Sequence, residues 1–237
     1  VLGTAHLLNF ARTQDRLRLF AYFSTDEVFG PAPAGTAYRE WDRYNSTNPY
    51  SASKAGGEEL CLAWANTYKI PLIITHTMNA FGERQHPEKF IPGVINKVLR
   101  GERVTVHSDP TRTKAGSRFY IHCRNIASAL LYLMDHQADA CMAQKVYQLR
   151  DKYNIVGERE VDNLDMAQFI AGVVGRPLHY DMVDFHSSRP GHDLRYALDG
   201  TKLRELGWQM PKTFEASLEK TIRWYLANPA WLNWQHA

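Results

Sequence analysis

The run Leu17-Arg18-Leu19-Phe20-Ala21-Tyr22-Phe23, the polar Ser24-Thr25-Asp26-Glu27 after it, and the later run Pro71-Leu72-Ile73-Ile74-Thr75 frame the stretch that decides the fold. Residues 17–23 are apolar and aromatic-rich, which predicts a buried strand. Residues 51–68 place Ala55, Leu60, Leu62, Ala63 and Ala65 on one side of a helix, and residues 71–75 predict a second buried strand. Strand, amphipathic helix and strand make a βαβ unit, hence a parallel sheet with helices on its faces. Between the first strand and the helix, Pro31, Pro33 and Gly35 mark residues 31–48 as a loop.

Working outward, Leu2, Leu7, Leu8 and Phe10 predict a helix over residues 2–11. Beyond the βαβ unit the pattern predicts helices at 90–99, 125–134, 164–174 and 215–227, and strands at 103–106, 118–121 and 146–149. Asn228-Pro229 stops the last helix. The class is α/β, with a more mixed C-terminal part.

Composition narrows the function. The 237 residues are 44% hydrophobic and 22% charged, an ordinary globular balance that argues against disorder. Lys+Arg number 28 against 25 Asp+Glu, and a net +3 suits a small anionic ligand better than nucleic acid or a membrane surface. No apolar stretch approaches the roughly 20 residues of a membrane span. Val1 to His6 lack the features of a secretory signal. Cys61, Cys123 and Cys141 fit neither a disulfide framework nor a zinc site, so a reducing cytoplasm is expected. The histidines show no metal-ligand spacing, and no metal is expected. Trp224, Tyr225, Trp231 and Trp234 read as packing residues.

Chemistry-bearing residues gather where the two predicted strands end, which is where open parallel sheets bind ligands. In Ser24-Thr25-Asp26-Glu27 a hydroxyl beside two adjacent carboxylates can bind a sugar hydroxyl and perform an elimination, one carboxyl giving a proton to a leaving hydroxyl while the other removes a carbon-bound proton. Ser24 and Glu27 also have capping-box spacing, although Gly30-Pro31 would abort a helix there. Tyr50 and Lys54 stand one helical turn apart. A nearby ammonium stabilises phenolate, so Tyr50 is expected to act as a base near neutral pH. The Tyr-x-x-x-Lys spacing is common by chance and gains meaning from the Thr-Asp-Glu run before it.

Ser24-Thr25-Asp26-Glu27-Val28-Phe29-Gly30 followed by Asn48-Pro49-Tyr50-Ser51-Ala52-Ser53-Lys54-Ala55 resembles the extended short-chain dehydrogenase/reductase superfamily. The Thr-Asp-Glu triplet, Pro87-Glu88-Lys89-Phe90-Ile91-Pro92 and Arg189-Pro190-Gly191-His192-Asp193-Leu194-Arg195-Tyr196 are similar to its nucleotide-sugar 4,6-dehydratases, the dTDP-glucose type most of all. The resemblance implies a lyase that turns a dTDP- or UDP-glucose-like sugar into its 4-keto-6-deoxy form. Tyr50 would take the 4-hydroxyl proton as hydride passes to NAD, with Thr25 bonded to that hydroxyl and Lys54 holding the nicotinamide ribose. Glu27 would remove the C5 proton, Asp26 would protonate the departing C6 hydroxyl, and the hydride would return to C6. NAD is therefore a held participant rather than a consumed substrate.

By the same resemblance Ala80 stands beside the cofactor. Asn79, Lys89 and Phe90 match sugar and diphosphate contacts, and Thr105, Val106, His107, Arg118, Asn163, Arg189, Pro190, Gly191 and His192 match positions around the nucleotide. Each has a plainer reading: Asn79 a turn residue, Lys89 a solvated lysine, Asn163 an N-cap, Arg189-Pro190-Gly191 a β-turn. The resemblance assigns residues 1–80 to the later part of an NAD-binding Rossmann domain and 81–237 mainly to a nucleotide-sugar-binding part, some segments returning to the first. It implies a homodimer through the helices at 2–11 and 51–68.

The sequence departs from the pattern at Ala80, at Glu83-Arg84 and in the longer, basic 108–117 loop, which leaves the base and the sugar open. No Gly-x-x-Gly-x-x-Gly occurs, so roughly the first ninety residues of a complete member are expected to lie outside this chain. Two other readings stay open: a UDP-sugar epimerase or other dehydratase, and a truncated non-catalytic nucleotide-sugar-binding or interaction protein. An epimerase has no use for the Asp26-Glu27 pair.

Overall fold

The computed structural model describes residues 1–143, 152–185 and 195–232. In chain order its elements are α1 (Leu2–Ala11), β1 (Phe20–Thr25), a 3-10 turn (Asp26–Phe29), α2 (Pro49–Tyr68), β2 (Leu72–Thr77), β3 (Asn79–Phe81), α3 (Phe90–Arg100), β4 (Val104–Ser108), β5 (Ser117–His122), α4 (Cys123–Ala143), β6 (Lys152–Ile155), β7 (Glu160–Asp162), α5 (Asn163–Val174), β8 (Tyr180–Asp184), α6 (Thr201–Glu205), α7 (Phe214–Ala227) and a final 3-10 turn (Pro229–Leu232). They divide into two compact units, the first built from Val1–Met78, Ile126–Val156 and Tyr196–Met210, the second from Asn79–Asn125, Gly157–Arg195 and Pro211–Ala237.

The first unit is a Rossmann-like α/β layer. Its sheet has the order β1-β2-β6 and is parallel throughout, with Phe20 opposite Leu72, Thr25 opposite Thr77 and Ile74 opposite Lys152. α1 and α2 pack on it around Leu8, Ala11, Cys61, Ala65, Ile70, Leu72 and Ile74. α2 begins two residues earlier than its apolar period predicts. Asn48 caps it by accepting the Ser51 N–H at 2.9 Å, and Pro49 follows, where a missing N–H costs nothing.

β1 differs from expectation in place and in burial. It starts at Phe20, where pairing with β2 begins, and only Ser24 and Thr25 are buried, while Phe23 is exposed. β2 is buried from Leu72 to His76 as its unbroken apolar run predicts. The predicted strand at 146–149 lies outside the described residues. β6, just after it, mixes Lys152 and Asn154 with Tyr153 and Ile155, and its polar members hide it from a hydropathy reading.

The second unit has its own core, with Ile91, Val94, Ile95 and Val98 from α3, Met166, Ala167 and Ile170 from α5, and Phe214, Leu218, Ile222 and Tyr225 from α7. β3 pairs parallel with β5, β5 antiparallel with β7, and β4 parallel with β8. β3 and β7 have three residues each, too few for a period to register. Trp224 and Trp231 pack against this core as predicted, and Trp234 lies outside the described residues.

Gly30 closes the turn after β1 with φ 76° and ψ −166°, a region that side-chain-bearing residues avoid. A Cβ there would also run into the backbone carbonyl of Asn45. Gly30→Ala should therefore cost about 2–4 kcal/mol, read as a lower urea midpoint.

Candidate active site

In a parallel sheet all strands end on the same edge, so β1 and β2 deliver Thr25 and Thr77 side by side. β1 gives way at once to the Asp26–Phe29 turn, whose N-cap is Thr25 and not Ser24: the Thr25 hydroxyl accepts the Glu27 N–H at 3.3 Å. The same hydroxyl lies 3.0 Å from Asp26 Oδ1 and faces the Tyr50 phenol, whose titration it lowers. The cap and the functional reading of this segment thus coincide in one side chain. Thr25 and Asp26 are buried, whereas Tyr50 is 53% exposed and open to a ligand.

Glu27 is held from the next element. Asn48 Nδ2 donates to Glu27 Oε2 at 2.9 Å while Asn48 Oδ1 serves the α2 cap, so both ends of one amide are committed. Asn48 is a site residue that chemistry-based reading misses. Its readable sign is Asn-Pro directly before a helix.

The structure corrects the expected Tyr50–Lys54 relation. The Lys54 ammonium donates to the Phe23 carbonyl and sits 4.5 Å from the centre of the Tyr22 ring. Burial, then the Glu27 carboxylate, push the Tyr50 phenol above its ordinary value; the Thr25 hydrogen bond lowers it and Asp26 raises it further. Two carboxylates, not an ammonium, dominate the surroundings of Tyr50.

Behind this edge lies a buried polar cluster. Glu58, fully buried on α2, accepts from Ser24 on one carboxylate oxygen and from Tyr44 on the other. The second oxygen also lies 3.2 Å from His76 Nε2 and 3.3 Å from Lys152 Nζ. Asn154 spends both amide hydrogens on the Tyr38 and Asp199 carbonyls, so its Oδ1 accepts from His76 Nδ1 at 3.0 Å. Burial alone would raise the Glu58 carboxyl, but the His76 hydrogen bond and charge, with Lys152 and Ser24, hold it at about 2.

With its folded value below the ordinary 4.5, Glu58 contributes stability that is present above about pH 4.5 and lost as pH falls towards 2. The shift corresponds to roughly 3 kcal/mol. Acid unfolding followed by circular dichroism should show a loss across that window, and Glu58→Gln should flatten it.

The remaining predicted residues belong to the second unit. Asn79 and Ala80 open β3 and are exposed, with Gln85 Nε2 donating to the Ala80 carbonyl at 2.8 Å. Lys89 is exposed at the start of α3, and Phe90 packs partly against the core. On β4, Thr105 is exposed and His107 half-buried, but Val106 is fully buried in the core, so only its backbone could meet a ligand. Arg118 donates to the Ser117 carbonyl at 2.7 Å. Asn163 is not the α5 cap: Asp162 takes that place, and Asn163 Oδ1 accepts from Tyr120 at 2.8 Å. Arg189, Pro190, Gly191 and His192 lie outside the described residues.

Glu83, His122 and Cys123 bring ligand-type atoms within 4.8 Å of one another. Their contacts are those of a helix start. His122 Nδ1 accepts the Arg124 N–H at 3.2 Å and its Nε2 meets Glu83 at 3.2 Å, while the other Glu83 oxygen takes Arg124 at 3.3 Å.

A profile of the family described as GDP-mannose 4,6 dehydratase matches residues 1–221. The dTDP-glucose 4,6-dehydratase of Salmonella typhimurium is 34% identical over 256 residues, covering 98% of this chain and 67% of that protein. A trifunctional Arabidopsis thaliana protein, named as UDP-glucose 4,6-dehydratase, 3,5-epimerase and reductase, is 34% identical over 98% of this chain and 33% of its own length. The crystal structure of dTDP-glucose 4,6-dehydratase from Bacillus anthracis in complex with NAD superposes with a TM-score of 0.83 at 28% identity, covering 98% of this chain and 69% of that one. The chain thus spans a third of the plant protein and about two thirds of the bacterial ones.

Proposed function

We propose, from the premise that this chain belongs to the GDP-mannose 4,6-dehydratase family, that it forms the catalytic and substrate-binding part of a protein that carries out the NAD-dependent 4,6-dehydration of a nucleotide-activated hexose. One observation carries this reading: the Thr25 hydroxyl bonds Asp26 and the Glu27 N–H, and Tyr50 stands close enough to feel Thr25, Asp26 and Glu27 together, at the edge where parallel strands end. A hydroxyl base beside two carboxylates supplies what oxidation followed by elimination requires, whereas an epimerase would use Tyr50 and leave the pair idle.

Tyr50 and Lys54 fit the nicotinamide end of the cofactor, since a phenol and an ammonium at this edge are the donors that ribose hydroxyls need. The cofactor bound there would supply reversible hydride acceptance and a positive nicotinamide charge that opposes the carboxylates around Tyr50. Tyr50 takes the proton of the 4-hydroxyl, with Thr25 fixing that oxygen. Glu27, steadied by Asn48, removes the proton next to the new carbonyl, and Asp26 delivers a proton to the departing 6-hydroxyl. Ala80 would stand beside the cofactor, Asn79, Lys89 and Phe90 would contact sugar and diphosphate, and Thr105, the backbone of Val106, His107, Arg118, Asn163, Arg189, Pro190, Gly191 and His192 would surround the nucleotide.

Among the described residues no helix is long and apolar enough to cross a membrane. Cys61 and Cys123 are free thiols, in keeping with a cytoplasmic protein. Leu2, Leu7 and Phe10 of α1 and Tyr68 of α2 are exposed, an apolar face suited to a homodimer. Calorimetric titration with NAD and with dTDP- and UDP-glucose, alongside a product assay, tests the reading. For full-length protein the expectation is NAD binding and a 4-keto-6-deoxy product from one of the two nucleotides; full-length protein that binds neither sugar nucleotide would contradict it.

A further inference from the structure

Resting on the reading just given, we propose that Glu58 is a positioning residue of this site, tying the strand end that carries Thr25, Asp26 and Glu27 to the helix face that carries Tyr50 and Lys54. Residues 50, 54 and 58 recur at one-turn intervals, so they share a face of α2. Each meets a different point of β1: Tyr50 faces the Thr25 hydroxyl, Lys54 donates to the Phe23 carbonyl, and Glu58 accepts from the Ser24 hydroxyl. Three consecutive strand residues thus meet three consecutive turns of one helix, and Lys54 and Glu58 tie two of them by direct hydrogen bonds. Removing one tie leaves the helix free to slide or turn by the small amount that a proton transfer feels.

Glu58 alone of the three is also anchored from behind. Its second oxygen holds Tyr44, His76 and Lys152, which come from the loop, β2 and β6. Tyr44 lies on the loop that runs into Asn48, the residue that grips Glu27. One buried carboxylate therefore reaches both arms of the catalytic turn. It also acts on Lys54 by charge: burial lowers the Lys54 ammonium, and Glu58, then Cys61, counter that. The titratable and charged groups around Lys54 and Glu58 are Tyr22 from β1, Tyr44 from the loop, Cys61 from α2, His76 from β2 and Lys152 from β6.

Two variants of the full protein test this. In Glu58→Gln, kcat should fall roughly 10- to 100-fold with KM within about twofold, the size expected when reacting groups are displaced without loss of binding. The Lys54 titration, followed by NMR on reductively 13C-methylated protein and assigned with Lys54→Arg, should move to lower pH, because the opposing negative charge is gone. Ser24→Ala cuts only the strand tie and keeps the charge, so kcat should fall with the Lys54 midpoint in place. If Glu58→Gln does not fold, Ser24→Ala decides by kcat alone. Folded Glu58→Gln or Ser24→Ala protein with wild-type kcat overturns the proposal, and so does an unmoved Lys54 midpoint in Glu58→Gln. Wild-type protein without dehydratase turnover contradicts the functional reading instead, and the Lys54 midpoint then judges Glu58 by itself.

Discussion

Tyr50→Phe should reduce turnover by roughly 10²–10⁴-fold while leaving thermal stability close to wild type. The substitution removes one oxygen from a ring that is 53% exposed, so no cavity forms in the core. What is lost is the group proposed to take the 4-hydroxyl proton, and the phenol that the Thr25 hydroxyl faces. A further result follows from the electrostatics. Burial first and the Glu27 carboxylate second hold the phenol above its ordinary value, so Glu27→Gln, by removing a negative charge, should bring the Tyr50 titration down. An ultraviolet difference titration, with Tyr50→Phe as the blank, reads that movement. A midpoint that rises in Glu27→Gln would mean that the charge acts elsewhere.

Asp26→Asn and Glu27→Gln should each cost a comparable factor, roughly 10²–10⁴-fold, but at different bonds. Glu27→Gln should abolish exchange of the C5 proton with solvent, since an amide is no base at that position. Asp26→Asn should slow loss of the C6 hydroxyl and permit C5 exchange to continue. Both replacements are nearly isosteric. In Glu27→Gln, Asn48 Nδ2 can still donate to the carbonyl oxygen of the new amide, so the turn keeps its shape and the effect is chemical. Variants that each kept full dehydration would show that this pair does not carry the elimination.

The polar clusters and hydrophobic runs are legible to different depths. The βαβ unit is clear because residues 51–68 have a strong helical period and Leu72 to Ile74 are continuously apolar. Hydropathy misplaces the start of β1 by three residues because Leu17 and Leu19 are as apolar as the strand itself, and only pairing with β2 sets where it starts. Thr25, Asp26, Glu27 and Tyr50 are found by spacing, and the structure brings them together. The environment of Lys54 is not legible. Its neighbours Phe23 and Tyr22 come from another strand, and sequence spacing says only that Tyr50 and Lys54 share a face. Glu58 escapes notice for a related reason: its partners Ser24, Tyr44, His76 and Lys152 are scattered along the chain and meet only when β1, β2 and β6 align. Val106 shows the opposite limit, a residue matched by motif whose side chain the fold commits to the core.

The Thr25–Glu27 turn and Tyr50 are proposed to perform together an oxidation followed by an elimination. Incubating the protein with NAD and dTDP- or UDP-glucose in deuterated water, and reading the product by NMR, tests it most directly. The expected product is a 4-keto-6-deoxy sugar with deuterium at C5, delivered when the proton removed by Glu27 is replaced from solvent. A product that keeps its 6-hydroxyl and is merely inverted at C4, without deuterium at C5, would contradict it.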